Sequence, residues 1–165
     1  MLTSAQATLR EILTQTLAWE EALKIVHGHQ AELEKFDIQR YAQVIFIGCG
    51  STHYLSMSAA AVMQTLSGVI CRGIPSSEIV LTPENILTDN KRKSLLVAVS
   101  RSGTTTETLR GVEKFREGDY GDVITITNYG NSELARMGGS EFGDRKRPRR
   151  EHRADQIVRL DVCSS

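Results

Sequence analysis

Three short, continuous apolar segments constrain the fold of this chain more than any other feature of its sequence. They span residues 44–48, 95–99 and 122–127, and β-branched side chains are common in them. Such segments are too short for helices, and unbroken apolar character is typical of strands buried on both faces of a sheet. A weaker run at residues 69–72 predicts one more strand. The sequence therefore predicts a sheet whose strands lie in the interior.

The residues between these strands carry apolar side chains at helical spacing. One helical face runs from Leu55 to Leu66, a brief helix or a loop is predicted near residues 78–81, and further helices are predicted over 105–116 and from residue 132 to 137. The alternation of strand and helix predicts an α/β fold, with a parallel sheet, right-handed crossovers and helices on both faces. Residues 1–40 precede it as a helical segment, either one long helix or two short ones.

Composition and charge exclude several classes of protein. At 165 residues, of which 40% are hydrophobic, the chain matches one globular domain of ordinary size. No apolar run exceeds five residues, and the amino terminus lacks the pattern of a secretory signal. The cysteines Cys49, Cys71 and Cys163 are odd in number and lack metal-site spacing. We therefore expect a cytoplasmic protein with no metal, no cofactor and no membrane partner.

Two loops rich in glycine and hydroxyl residues follow the first and third strands. The first loop, residues 48–52, reads GCGST, and the second loop, residues 100–106, reads SRSGTTT. With the strand order 2-1-3-4, both loops face one crevice at the carboxyl edge of the sheet. Hydroxyls, backbone amides and two helix N-termini around one point suit an anion such as phosphate. The structural alternative is that these residues are ordinary helix caps.

The loops lack the common nucleotide-binding motifs. No GxxxxGK[ST] sequence is present, and Gly48-x-Gly50 has His53 at the position of the third glycine of a dinucleotide fingerprint. A nucleotide-binding α/β domain is therefore the weaker alternative. His53 could contact a ligand, but a structural or solvent-facing role is the favoured interpretation. Glu107 is expected on a solvated helix face, and Cys49 is expected to be a small packed residue between glycines.

The two loops resemble those of the sugar isomerase (SIS) family of phosphosugar-binding domains, and the likeness extends over residues 43–137. The tryptophan-bearing N-terminal helix, SSE after the second strand and SRSG after the third are similar to the tagatose-6-phosphate ketose/aldose isomerase (galactosamine-6-phosphate deaminase/isomerase) group. The resemblance implies a flavodoxin-like, three-layer α/β/α parallel sheet, usually in a homo-oligomeric enzyme. It also implies a small sugar phosphate as ligand, which such enzymes isomerise or, for amino sugars, deaminate.

The resemblance assigns a phosphate-binding role to the second loop. It implies that the hydroxyls of Ser100, Ser102 and Thr105 hold the phosphate, with the backbone amides of Gly103 and Thr104 beside them.

The resemblance assigns sugar or phosphate contacts to the first loop. Gly50, Ser51 and Thr52 stand where the family has Gly-Thr-Ser, so the two hydroxyls are transposed. Arg101 is expected either to bind the phosphate or to face solvent. The alternative function is a non-catalytic domain that senses a sugar phosphate.

The sequence changes character at Gly138. Residues 138–165 contain seven arginines and lysines, centred on DRKRPRR, and lack apolar periodicity. Codons can be chosen for them that, shifted by one nucleotide after Met137, encode ADLNLVIEKGREESIVQTRSFASMYAA, which is similar to the family's own continuation. We interpret residues 138–165 as an out-of-frame, disordered tail after a partial SIS domain at residues 41–137. A basic nucleic-acid-binding or nuclear-targeting segment is the alternative.

This interpretation predicts an incomplete, inactive domain. The sheet would lack its fifth strand and expose an edge. The glutamate that moves a proton in the family's isomerases follows that strand, so no catalytic residue is assigned here. We therefore expect sugar-phosphate binding without turnover and without a nucleic-acid partner.

Overall fold

A computed structural model describes residues 4–28, 30–34, 37–87, 92–138 and 158–161. Its central element is a parallel sheet with the strand order β2-β1-β3-β4-β5. The strands are β1 (Val44–Gly48), β2 (Cys71–Pro75), β3 (Ser94–Val99), β4 (Gly121–Thr127) and β5 (Val158–Asp161). The strand order reverses between β1 and β3, where ligands bind in doubly wound sheets. The predicted α/β fold and the order of the first four strands are confirmed.

Helices cover both faces of the sheet and make it the middle of three layers. They are α4 (Ser51–Ser67), α5 (Ser76–Leu81), α6 (Thr106–Glu117) and α7 (Glu133–Met137). Ala60 of α4 packs against Val44 and Phe46 on one face. On the other face, α5, α6 and α7 pack against the alternate strand residues, among them Ile45 and Ile47. Every residue of β1 and β3 is buried, which explains why their sequences are continuously apolar.

The second strand begins later than residues 69–72 predict. Gly68 ends α4 with a left-handed φ of 71°, and the two residues after it still connect the helix to the sheet. The strand then runs from Cys71 to Pro75 and passes directly beneath α4. A Cβ on Gly73 would lie 2.4 Å from the Cα of Met57, so the helix can approach this closely only over a glycine.

The expected absence of a fifth strand is wrong. Residues 158–161 pair in parallel with β4, from Ile124 opposite Val158 to Thr127 opposite Asp161. The outer edge of β4 presents unpaired backbone groups, and the alternating sequence VRLD supplies a short extended segment that pairs with them. The rest of the tail, residues 139–157 and 162–165, lies outside the described residues, and with it the predicted disorder of the tail.

The amino-terminal segment is helical, as predicted, but where one or two helices were expected its described residues form α1 (Ser4–Leu13), α2 (Gln15–Gly28) and the single turn α3 (Gln30–Leu33). The first two helices meet at Thr14, whose hydroxyl donates to the carbonyl of Arg10 at 2.9 Å. The apolar side chains that predicted these helices are exposed, including Ile12, Leu17 and Trp19. Within the described ranges, no helix is both long and apolar enough to cross a bilayer.

Candidate functional site

The first loop turns the chain sharply from β1 into α4. A Cβ on Gly48 would lie 2.6 Å from the carbonyl carbon of Thr52, so only glycine fits there. Gly50, at the start of α4, has a φ of 60°, which also favours glycine. The hydroxyl of Thr52 accepts from the Cys49 amide at 3.0 Å and donates to the Cys49 carbonyl at 2.9 Å. Thr52 therefore shapes the loop, whereas Ser51 is exposed at its surface.

The second loop folds around the buried side chain of Ser100. Its Oγ accepts from the Gly103 amide at 3.1 Å and lies 3.0 Å from Oγ1 of Thr105. The Oγ of Ser102 accepts from the amide and the hydroxyl of Thr104, at 3.3 and 3.2 Å. Five of the predicted site residues thus form one hydrogen-bonded turn at the end of β3.

Gly103 fixes the second loop to α7. Its φ is 64°, and a Cβ there would lie 2.1 Å from the Oγ of Ser132. The Gly103 carbonyl accepts from the Leu134 amide at 2.9 Å, and Ser132 caps α7 by accepting from the Ala135 amide at 3.2 Å. The fourth strand–helix unit therefore holds the loop in place.

Helix α6 begins without a side-chain cap. Thr105 is its N-cap residue, but the hydroxyl is 3.0 Å from Ser100 and makes no hydrogen bond to the first-turn amides. Uncapped amides at the positive end of a helix dipole favour an anion. In the part of the chain that the structure describes, the exposed guanidinium of Arg101 makes no hydrogen bond or ion pair. The second loop can therefore hold a phosphate.

A cavity of about 290 Å³ opens at the carboxyl edge of the sheet. It is lined by Gly48, Cys49, Gly50, His53, Tyr54, Pro75, Ser76, Ser77 and Glu107. Of the nine predicted site residues, only Gly50 lines this cavity. The second loop lies outside it and is connected to it through α6, whose first turn carries Glu107.

His53 and Glu107 line this cavity, although the sequence predicted neither as a site residue. The Nδ1 of His53 is buried and has no hydrogen-bond partner among the described residues. Glu107 is exposed, as predicted, but it lies at the cavity instead of on a remote helix face. Their positions in the sequence could have identified them, because each is the first residue after one of the two loops.

The cysteines and acidic residues do not form a metal centre within the ranges given above. No group of three or more His, Cys, Asp or Glu side chains there could hold a metal ion. Cys49 is an exposed free thiol at the cavity, where it was expected to be packed. Burial raises the pKa of the Cys71 thiol, which makes that side chain a poorer nucleophile at neutral pH.

Comparison with known proteins gives one consistent result. A glutamine–fructose-6-phosphate aminotransferase (isomerizing) of Shewanella oneidensis is 28% identical over 138 residues, which are 78% of this chain and 22% of that protein. The chain thus spans about a fifth of the length of the curated relatives it matches.

Solved structures share the fold. The tagatose-6-phosphate ketose/aldose isomerase from Escherichia coli superposes with a TM-score of 0.71 at 21% identity, over 78% of this chain and 36% of that one. Glucosamine-6-phosphate deaminase from Thermotoga maritima superposes with a TM-score of 0.62 at 23% identity, over 94% of this chain and 40% of that one.

The sequence profile of the SIS domain matches residues 37–141. That span begins before β1 and continues past α7, so it contains both loops, the cavity and the first four strands. The chain therefore belongs to the SIS domain family.

Proposed function

We propose that this chain binds a hexose 6-phosphate or its amino derivative. The observation that carries the proposal is the second loop, in which a hydrogen-bonded turn lies at the uncapped start of α6. Beside it is Arg101, whose guanidinium has no partner among the described residues. The three relatives described above are all named for a 6-phosphate of fructose, tagatose or glucosamine. Their names support the same ligand class for this chain.

In this proposal the two loops bind different parts of the ligand. The phosphate binds the hydroxyls of Ser102 and Thr105, the uncapped first-turn amides of α6 and the guanidinium of Arg101. The amides of Gly103 and Thr104 donate to Ser100 and Ser102 and so hold the turn in shape. The sugar extends toward Ser51 and the cavity behind the first loop. Gly50 and Thr52 contribute backbone shape, because the Thr52 hydroxyl is already bonded to Cys49.

Binding without isomerisation is the activity we expect. The relatives are named for isomerisation, amino transfer and deamination, which all require a group that moves a proton on the sugar. We interpret the segment after Gly138, where the family carries its catalytic glutamate, as out of frame. A sensor that binds the sugar phosphate without turnover would use the same loops.

We place this function in the cytoplasm, where the thiols of Cys49 and Cys71 stay reduced. We also propose that the uninterrupted form of this protein, in which the family's own sequence continues past Met137, is a homo-oligomer. Several large apolar side chains of α1 and α2, among them Leu13 and Trp19, are exposed, and such side chains on neighbouring helices support an interaction surface.

A thermal shift series tests the proposed ligand class. We expect fructose 6-phosphate to raise the melting temperature more than inorganic phosphate or adenosine monophosphate does, since only the sugar phosphate fills both loops. Arg101→Ala should weaken sugar-phosphate binding about tenfold. Ser58→Ala is the matched control, because its hydroxyl is exposed on α4 and bonds only within that helix. Larger stabilisation by the nucleotide would contradict the proposal.

A further inference from the structure

The cavity behind the first loop has a charge opposite to that of the second loop. Glu107 contributes a carboxylate, and the residues that line the cavity include no lysine or arginine. The second loop instead offers amide donors and the Arg101 guanidinium. A ligand that spans both places therefore meets positive charge at one end and negative charge at the other.

No cation in the described part of the chain neutralises Glu107. Its carboxylate makes no hydrogen bond or ion pair there. Arg110, one turn further along α6, is paired with Glu113 at 2.7 Å. Glu107 also lies in the first turn of α6, on the same helix end that faces the second loop. An unpaired carboxylate beside an anion site repels a simple phosphate and attracts a cation.

The His53 ring adds a second unsatisfied group to the same wall. Its Nδ1 is buried and has no partner in the described part of the chain, and a buried polar atom of this kind costs free energy until something bonds to it. Rotation of the ring would turn Nδ1 toward the cavity, where a hydroxyl or amino group of a ligand would supply that bond. His53 therefore gives the cavity a polar contact in addition to the charge of Glu107.

We propose that Glu107, assisted by His53, selects a cationic amino-sugar phosphate over its neutral hydroxy counterpart. This inference rests on the proposed function and specifies its ligand: a hexose 6-phosphate with a free ammonium group. The ammonium binds the Glu107 carboxylate in the cavity while the phosphate stays on the second loop. Acetylation of the amine removes the charge and with it the preference.

The experiment compares glucosamine 6-phosphate, glucose 6-phosphate and N-acetylglucosamine 6-phosphate by calorimetry with the whole chain, at a pH slightly below neutral. We expect the amino sugar to bind about tenfold more tightly than glucose 6-phosphate, the value of one charge-assisted hydrogen bond. Glu107→Gln should bring that ratio close to one and raise the affinity for glucose 6-phosphate slightly, because it removes a negative charge. Glu113→Gln, on the same helix, should keep the ratio.

The outcomes separate this inference from the proposed function. Equal binding of the three sugars by the unaltered protein would overturn the selectivity and leave sugar-phosphate binding intact. Binding of none of them would overturn both proposals. A preference that survives Glu107→Gln would overturn the role of Glu107. Glu107→Asp keeps the carboxylate and should retain part of the preference, which separates loss of charge from loss of folding.

Discussion

The side-chain oxygens of Ser100 and Thr105 lie 3.0 Å apart, and this contact joins the end of β3 to the start of α6. Either hydroxyl can donate to the other, because a hydroxyl is both donor and acceptor and its hydrogen can rotate. One proton of the pair can therefore turn to an arriving phosphate oxygen without any movement of heavy atoms. The pair preorganises the second loop for an anion.

Replacement of Ser100 by alanine should affect both stability and binding. Ser100 is 2% exposed, and its loss removes the partner of the Thr105 hydroxyl and one acceptor of the Gly103 amide. We expect the free energy of unfolding to fall by about 1 kcal/mol and sugar-phosphate affinity to fall about tenfold. Urea unfolding and calorimetry measure the two effects. Thr65→Ala, which removes an exposed helix hydroxyl, should change neither; a similar effect in both variants would contradict this role.

Gly103 and Gly50 form a matched pair that separates backbone strain from steric overlap. Their φ values are 64° and 60°, but a Cβ would overlap Ser132 at Gly103 and would meet nothing within 4 Å at Gly50. Gly50→Ala should therefore cost only the strain of a backbone conformation that favours glycine, about 2 kcal/mol. Gly103→Ala should cost at least about 2 kcal/mol more, because Ser132 and α7 must move. Equal losses of unfolding free energy in the two variants, measured with denaturant, would show that the loop moves away from Ser132 at no cost.

His53→Phe should stabilise the free protein and weaken binding. Phenylalanine keeps a ring beside Tyr54, whose ring centroid lies 5.5 Å away, and removes the unpartnered Nδ1. We expect the free energy of unfolding to rise by about 1 kcal/mol in the absence of ligand. Sugar-phosphate affinity should fall, while inorganic phosphate, which does not reach the cavity, serves as the internal reference. A variant that is less stable than the unaltered protein and binds the sugar phosphate equally tightly would refute the assignment of His53 to ligand contact.

The Tyr41 hydroxyl should make the fold sensitive to alkaline pH. It donates to the Asp122 carboxylate at 2.5 Å, and Arg40 pairs with the same carboxylate at 2.6 Å. Burial, together with the hydrogen bond to Asp122, raises the pKa of Tyr41 above its ordinary value. In the unfolded chain the phenol ionises near pH 10, so its contribution is complete below about pH 10 and declines as the pH rises further.

The test compares unfolding of the protein and of Tyr41→Phe on both sides of that pH. The variant should be less stable by about 1 kcal/mol at neutral pH and should lack part of the alkaline decline. Tyr129→Phe is the control, since that ring is 61% exposed. An unchanged alkaline decline in Tyr41→Phe would assign it to other groups.

The sequence predicted the fold well because its strands are buried on both faces. In β1 and β3 the apolar runs coincide with the strands to within one residue, since nearly every side chain there lies in the interior. The bounds of β2 were missed because Gly73, required beneath Met57, interrupts its apolar pattern. The strand β5 was missed because a four-residue edge strand depends on the partner edge of β4 more than on its own sequence.

The candidate site was harder to predict than the fold. The motif GCGST marks a loop correctly, but it does not show that Thr52 bonds to Cys49 and that Ser51 faces out. The charge at the cavity depends on where α6 places Glu107. It also depends on Arg110, which pairs with Glu113 and not with Glu107. Such pairings are set by three-dimensional packing, which periodicity and motif spacing do not contain.

The hydrogen bond from Leu134 to Gly103 also bears on the order in which the second loop and the residues that support it are synthesised. The backbone partners that the structure shows for residues 100 to 103 from later in the chain lie between Ile126 and Leu134. A nascent chain that has left the ribosome as far as α7 therefore already contains the scaffold of this loop. The second loop and the ligand contacts that we propose for it are thus encoded upstream of Gly138. Fusions, insertions or reading-frame changes beyond that point alter the edge of the sheet and leave the sequence of the loop unchanged.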